Sequence, residues 1–420
     1  MTTIGSRRAL ALSLVVAVGG LTACSGGGTP APGASGNASA GTTTSTITFW
    51  DPYPQHKDGS DWDKHVKACA PSGSTITRTS LPQTDLFNQL TTAVKEGKAP
   101  DIAVLDNPMM PEAVSASLLA TDKQAGIDAS GVDANLLGPG VLDGQTYGVP
   151  FGSNALGLYY NKKVLDAAGV DPTQIHDWAG LNAAIAKVVA AGSKGITFSG
   201  IAGEEGVFQF EPWLWGAGAK LNAISSPEAI SAGQLISDWV GKGWAPRSAV
   251  TDNQSASWDL FLTGAYGFAE NGSWFASAAA ANKDFSVGMI PIPGKTTPVA
   301  PVPTGGEFAV APVQTTDASN HYANAKAVIS CLTSGDAAKA TSELLGYLSA
   351  KPDVRAAQVA ANDLWKPWVS IIEGAQGRTT ELGAGYVNAS AQISQATQGA
   401  LNAAGDAAGV ESAFKDAAGS

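Results

Sequence analysis

Between residues 46 and 107 the chain alternates between strand and helix patterns, and that alternation constrains its fold more than any other feature. TITFW (46–50) reads as a strand, GSDWDKHVKACA (59–70) as a helix and STITRTSL (74–81) as a second strand. TDLFNQLTTAVKEG (84–97) returns to helix spacing, with Leu86, Phe87, Leu90, Ala93 and Val94 recurring on one face. DIAVLD (101–106), bounded by Pro100 and Asn107, is a short buried strand, and PEAVSASLLA (111–120) reads as the next helix. Strand, helix and strand repeated in this way predict a parallel sheet with crossover helices. In such sheets ligands gather at the carboxyl ends of the strands.

Further along, VLDAAG, WAGLNAAIAKVVAAG, PEAISAGQLISDWVGKG and WDLFLTG read as helices. YGFAENGSW (266–274) is a strand running into a loop. DFSVGMIPIPG (284–294) starts as a strand and turns at Pro291 and Pro293, and TGGEFAVAP (304–312) is a glycine turn into a strand. From Asn320 onward the pattern is almost wholly helical, and no internal repeat is found. The roughly 375 residues from Thr46 onward exceed the usual size of one hydrophobic core, so two lobes are expected.

The amino-terminal segment MTTIGSRRALALSLVVAVGGLTAC has the layout of an export signal: Arg7 and Arg8, an apolar run from Ala9 to Val18, and small residues before Cys24. The run falls short of the roughly 20 residues that span a bilayer. Leu21-Thr22-Ala23-Cys24 resembles a bacterial lipobox, in which the cysteine is acylated and becomes the first mature residue; ordinary secretory cleavage with Cys24 incidental is the alternative. Ser6-Arg7-Arg8-Ala9-Leu10 also resembles a twin-arginine export motif. Residues 25–45 are built from Gly, Ser, Thr, Pro, Ala and a single Asn, the composition of a flexible leash. The expected location is the outer face of the cell membrane, anchored by lipid without spanning it.

Charge and motif content exclude several function classes. Lys and Arg number 25 against 36 Asp and Glu, and loss of Arg7 and Arg8 with the signal leaves 23 against 36, or −13. This balance argues against nucleic acid as a partner, and no polybasic membrane patch is present. His56, His65, His176 and His321 lack metal-ligand spacing, so no metal site or cofactor is expected. Gly294-Lys295-Thr296 resembles a phosphate loop only in part, because Met289 stands where the first glycine belongs. Gly216-Ala217-Gly218 lacks a third glycine, and GxSxG does not occur. A glycosidase carboxylate pair stays open. With Cys24 assigned to lipid, Cys69 and Cys331 form an even pair outside the cytoplasm, either bridged or as two buried thiols.

One segment draws these readings together. Gln145-Thr146-Tyr147-Gly148-Val149-Pro150, then Leu158-Tyr159-Tyr160-Asn161-Lys162 and Asp166-Ala167-Ala168-Gly169-Val170, resembles the hinge strand and following helix of the extracellular solute-binding proteins of sugar ABC transporters, the maltose-binding-like family. Phe49-Trp50, Gly97 to Ile102, Phe261 to Trp274, Phe285 to Gly294 and Gly305-Gly306 resemble further family segments in the same order. The likeness runs over residues 46–420 and thins after Tyr347.

The resemblance implies an α/β, two-lobe periplasmic-binding-protein-like fold of class II type, each lobe a sheet flanked by helices with the ligand cleft between them. It implies residues 1–24 as signal and lipobox, 25–45 as linker, 46–152 plus 305–350 as lobe 1, and 153–304 plus 351–420 as lobe 2. Cys69 and Cys331 then fall on helices of lobe 1, which suits a disulfide. The implied function is a monomeric, non-enzymatic receptor that captures a mono- or oligosaccharide and passes it to the permease subunits of an ABC transporter. The alternatives are a secreted carbohydrate-active cleft enzyme, a binder of a polyol or glycerol phosphodiester, and a structural lipoprotein.

Sugars present hydroxyls, which need paired polar groups, and C–H faces, which lie on aromatic rings. By position, Asp51, Asp106, Asn107, Asn154 and Glu307 are the candidate hydroxyl partners, with Gly305 and Gly306 beside them and Trp213 and Trp274 as platforms. Asp51 and Asn107 could equally be turn or cap residues. Trp62, Trp178, Trp239 and Trp258, in helical stretches, are expected in the core.

Overall fold

The computed structural model describes residues 45–419, the side chain of Thr84 excepted; Cys24 and the linker lie outside the described residues. Two sheets organise the chain. The first is built from β1 (Ser45–Asp51), β2 (Ser74–Ser80), β3 (Ile102–Asp106), a two-residue β6 (Val149–Pro150) and β11 (Glu307–Val310), in the order β2-β1-β3-β11-β6. The second is built from β7 (Leu156–Asn161), β8 (Lys194–Thr197), β9 (Tyr266–Gly272) and β10 (Val287–Ile290), in the order β10-β7-β9-β8. A small hairpin, β4 (Val141–Leu142) with β5 (Gln145–Thr146), precedes β6.

The period-two rule explains the apolar run of β3. Ile102 and Val104 enter the core on one face of the first sheet, and Ala103 and Leu105 enter the core on the other. On β11, Ala309 joins the former and Phe308 and Val310 the latter. A third, larger core surrounds the second sheet and takes in Trp178, Trp239, Trp258, Trp365 and Trp368, while Trp62 sits in the first sheet's core.

Two expectations are corrected, and two elements were not foreseen. The sheets are mixed rather than parallel, because β11 runs antiparallel to both β3 and β6, and β7 antiparallel to both β9 and β10. The crossover helices make β1, β2 and β3 parallel, but chain returning from the second sheet enters from the opposite direction. The helix expected over 111–120 ends at Ser115: Ser117 takes a φ of 57°, and Leu118 to Ala120 run extended, with Leu119 bridged to Pro312. Neither β8 nor the helix Glu204–Gly216 is signalled by the sequence, since β8 has four residues and Pro212 lies inside that helix.

Two segments connect the two sheets, and a third, between two helices, runs beside them. Residues 151–155 lead from β6 to β7 and residues 291–306 from β10 to β11, while residues 346–349 follow the helix Gly335–Leu345. They are tied side by side: Ser153 and Leu348 exchange backbone hydrogen bonds of 2.8 and 3.0 Å, and Gly305 N donates to Asn154 O at 3.1 Å. The fit needs glycine. A Cβ on Gly305 would lie 1.6 Å from Asn154 Oδ1, and Gly306, at φ +96°, would place one 2.4 Å from Gly152 O. Among the described residues no helix is long and apolar enough to cross a membrane.

Candidate functional site

The polar ends of both sheets converge on these crossing segments. Asp106 closes β3 and pairs in register with Glu307, which opens β11. Asn107 follows directly, and its Nδ2 donates to Thr304 O at 2.8 Å. From the second sheet, β9 ends at Gly272 and releases Ser273, Trp274 and Phe275, while the loop after β8 leads into the helix Glu204–Gly216. Ser273 Oγ donates to Gly346 O at 3.1 Å, which fixes the Trp274 turn against a crossing segment.

Arg378 bridges the two sides. Its Nη1 donates to Glu204 Oε1 at 2.6 Å, its Nη2 to Asp106 Oδ1 at 3.2 Å and its Nε to Thr304 O at 3.3 Å. The guanidinium also lies over the Phe208 ring, 4.8 Å from its centroid. Phe208 and Trp274 approach to 6.2 Å between ring centroids at an interplanar angle of 41°. Asn154 Oδ1, Asn107 Oδ1 and Thr304 Oγ1 are buried at this convergence without a hydrogen-bond partner.

The electrostatics follow from burial. Glu307 Oε2 accepts from Tyr53 OH at 2.9 Å and from Tyr347 OH. Burial, and then the neighbouring charge of Asp106, push its carboxyl up to about 7 against the opposing pull of the two phenols. Asp106 is raised by burial, with Arg378 opposing and Glu204 adding to the rise. Burial alone would make the Arg378 guanidinium less basic, but Asp106 and Glu204 outweigh it and hold it charged. Behind them, Tyr386 OH lies 2.6 Å from Glu204 Oε1 and 3.0 Å from Glu211 Oε1. One phenol proton cannot serve two carboxylates. Burial drives Glu211 well above the usual carboxylate range, against the opposing pull of Arg378.

Asp106, Asn107, Asn154, Trp274, Gly305, Gly306 and Glu307 thus meet at one place in the fold. Asp51 does not present itself to that place: it is fully buried, accepts from Trp62 Nε1 at 3.0 Å and pairs with Arg78, whose Nη2 donates to its Oδ1 at 2.8 Å. Trp213 is a core residue. It is 1 % exposed, donates from Nε1 to Glu270 Oε2 at 2.8 Å and packs edge-on against Trp239. Arg378, Glu204, Phe208, Tyr53 and Tyr347 carry no local sequence signal; Arg378 meets Asp106 across 272 residues. Cys69 and Cys331 are joined in a disulfide with Cα atoms 5.7 Å apart. Among the described residues no group of His, Cys, Asp and Glu is placed to hold a metal ion.

Comparison with known proteins places this architecture. The solute-binding protein of an ABC transporter from Thermotoga lettingae TMO, bound with α-D-tagatose, is 22 % identical, with a TM-score of 0.74 over 90 % of this chain and 98 % of that one. Maltose-bound MalE3 of T. maritima is 20 % identical, with a TM-score of 0.76 over 90 % and 98 %. UgpB of Mycobacterium tuberculosis, in complex with glycerophosphocholine, is 20 % identical, with a TM-score of 0.72 over 89 % and 96 %. At such identities the likeness establishes the fold: two mixed sheets flanked by helices, the α/β periplasmic-binding-protein fold. Binding proteins of Brucella abortus and Brucella suis are 26 % identical over 206 residues, 46 % of this chain, so the chain spans about half the length (49 %) of the curated relatives it matches. A family model for bacterial extracellular solute-binding proteins matches residues 67–367, well over half of the chain. By that match, and by the sheet order that accompanies it, the chain belongs to the bacterial extracellular solute-binding proteins.

Proposed function

We propose that this protein captures a neutral carbohydrate, a mono- or oligosaccharide, between its two sheets and delivers it to the permease subunits of an ABC transporter. One observation carries the reading: two neighbouring aromatic rings, Phe208 and Trp274, stand beside buried oxygens of Asn107, Asn154 and Thr304 that lack partners. A buried acceptor without a donor is costly, and ligand hydroxyls would satisfy these three. Trp274, only partly buried, would supply a flat face for the sugar's C–H surface, while Phe208 is buried behind it with the Arg378 guanidinium on its ring. Membership of a solute-receptor family removes support from the cleft-enzyme alternative. Lobe 1 would comprise 46–152 and 305–350, and lobe 2 the stretches 153–304 and 351–420, closing on the ligand about the three crossing segments.

Trp274→Ala tests the platform. The substitution is expected to leave the unliganded melting temperature close to that of the wild type and to weaken sugar binding at least tenfold, on the order of 1.4 kcal/mol. Ligands would come from a thermal-shift screen of neutral sugars and polyols, in which binding to the native state raises the midpoint by mass action. No stabilisation by any of them would sink the carbohydrate reading, and a sharp fall in melting temperature with affinity intact would make Trp274 a core residue.

The lipobox-like Leu21 to Cys24 supports a lipid anchor that keeps this extracytoplasmic receptor at the outer face of the membrane. Cys24→Ser should shift the protein to the soluble fraction or leave the precursor uncleaved. Unchanged fractionation with membranes argues for another mode of attachment.

A further inference from the structure

Among the described residues, Arg378 is the basic side chain bonded to the cleft carboxylates Asp106 and Glu204, and it is hidden. Its side chain is 2 % exposed, whereas those of Asp106 and Glu204, which grip it from either side, are 22 % and 30 % exposed. A molecule entering between the sheets therefore meets carboxylate surface first. Two of the guanidinium's donors are already spent on these carboxylates, a third goes to Thr304 O, and one face is covered by Phe208. The groups behind this pair strengthen the arrangement: Ser390 Oγ donates to Glu204 Oε2 and Tyr386 OH to Glu204 Oε1 at 2.6 Å, so Glu204 is held in place on both oxygens. Glu307 lies beside Asp106 on the adjacent strand and adds a further acidic group.

An arginine in a cleft is ordinarily a reader of phosphate or carboxylate, because its planar fork matches two oxygens of an anion. Here Nε, Nη1 and Nη2 each already donate to the protein, two of them to carboxylates, so three of the five N–H donors are engaged. We infer that Asp106 and Glu204 form a charge filter: by occupying Arg378 they close the cleft to phosphate esters and other anions and reserve it for uncharged, hydroxyl-rich ligands. This rests on the reading that the ligand enters between the two sheets. Such specificity works through repulsion and occupied donors as much as through attraction.

Removal of one carboxylate should turn the filter into an anion site, since an incoming oxyanion can take the vacated place on the guanidinium. The test uses the mature protein, with glycerol 3-phosphate and inorganic phosphate as anionic probes, at constant ionic strength set with chloride. Wild type should show no thermal stabilisation by either probe at millimolar concentration. Asp106→Ala, which removes the charge and opens space, should gain binding of glycerol 3-phosphate by at least tenfold over wild type. That gain should vanish in the Asp106→Ala/Arg378→Gln double variant, which places the anion on Arg378. If Asp106→Ala does not fold, Asp106→Asn keeps the side-chain volume and carries the same comparison. Stabilisation of wild type by glycerol 3-phosphate equal to that of the variant overturns the filter, as does a folded variant with no gain. Neither result depends on the neutral sugars. Failure of all of them to bind would count against the carbohydrate reading, while the anion response of the variant would still report on the filter.

Discussion

Removal of the Cys69–Cys331 bond, as Cys69→Ala/Cys331→Ala, is expected to lower the stability of the folded domain by up to about 5–6 kcal/mol, the chain-entropy value for a loop this long. The bridge spans 262 residues of sequence. It ties the end of the helix Asp61–Ala68, where Cys69 is the capping residue, to the helix Ala318–Leu332. The first helix follows β1, and the second follows the return of the chain through β11. Without the bond, the unfolded chain regains the freedom to separate these segments by the whole length of the intervening lobe. Cys69 is buried in the same core as Ile47, Phe49, Val328 and Leu332, so native packing would draw the two helices together even in the variant. The loss should therefore show in the unfolded state, as a lower urea midpoint with native ligand affinity retained. A midpoint that moves by less than the equivalent of about 1 kcal/mol would mean that the unfolded chain keeps these helices close.

Asp51→Ala should be nearly as damaging, and for a different reason. The carboxylate is fully buried and is held by Arg78, by the indole of Trp62 and by Tyr53 N at 3.2 Å. The Arg78 side chain is itself 2 % exposed, and its Nη2 also donates to Tyr53 O at 3.0 Å. Removing one partner of a buried ion pair leaves an uncompensated charge and costs about 3–5 kcal/mol. Asp51→Ala/Arg78→Met should recover a good part of that loss, because a neutral pair avoids the stranded guanidinium. Urea unfolding of the two variants measures both statements. The result also decides a question of role: a small stability change with a tenfold loss of ligand affinity would return Asp51 to the binding site.

The pair of candidates Asp51 and Asp106 shows how far position along a strand can be read. Each ends a strand of the first sheet, β1 and β3, and each was a reasonable hydroxyl partner on that ground. Strand position says which end of the sheet a residue occupies but not what stands opposite it. Arg78, on β2, pairs in register with Phe49 and reaches across to Asp51. Arg378 arrives from a loop near the end of the chain and engages Asp106. The same limit applies to Trp213 and Trp274. Both lie among aromatic and small residues, but Trp213 is on the inner face of a helix that Pro212 disguises, whereas Trp274 follows a strand end and is only partly buried.

The sequence by itself determined the elements with strong periodicity or punctuation: β1, β2, β3, the helices between them, the glycine turn into β11 and the helical carboxyl-terminal region. These depend on neighbours within a few residues, whose spacing sets which face is buried. Order of motifs along the chain was likewise enough to indicate the two-sheet receptor fold. Only the tertiary structure decided that the sheets are mixed, that β8 exists, and that Asp106, Arg378 and Glu204 form one cluster. Each of these is a long-range pairing, bringing together groups from distant stretches of chain. Local propensity carries no information about such partners, because the energy that selects them is released only when the crossing segments bring the two sheets together.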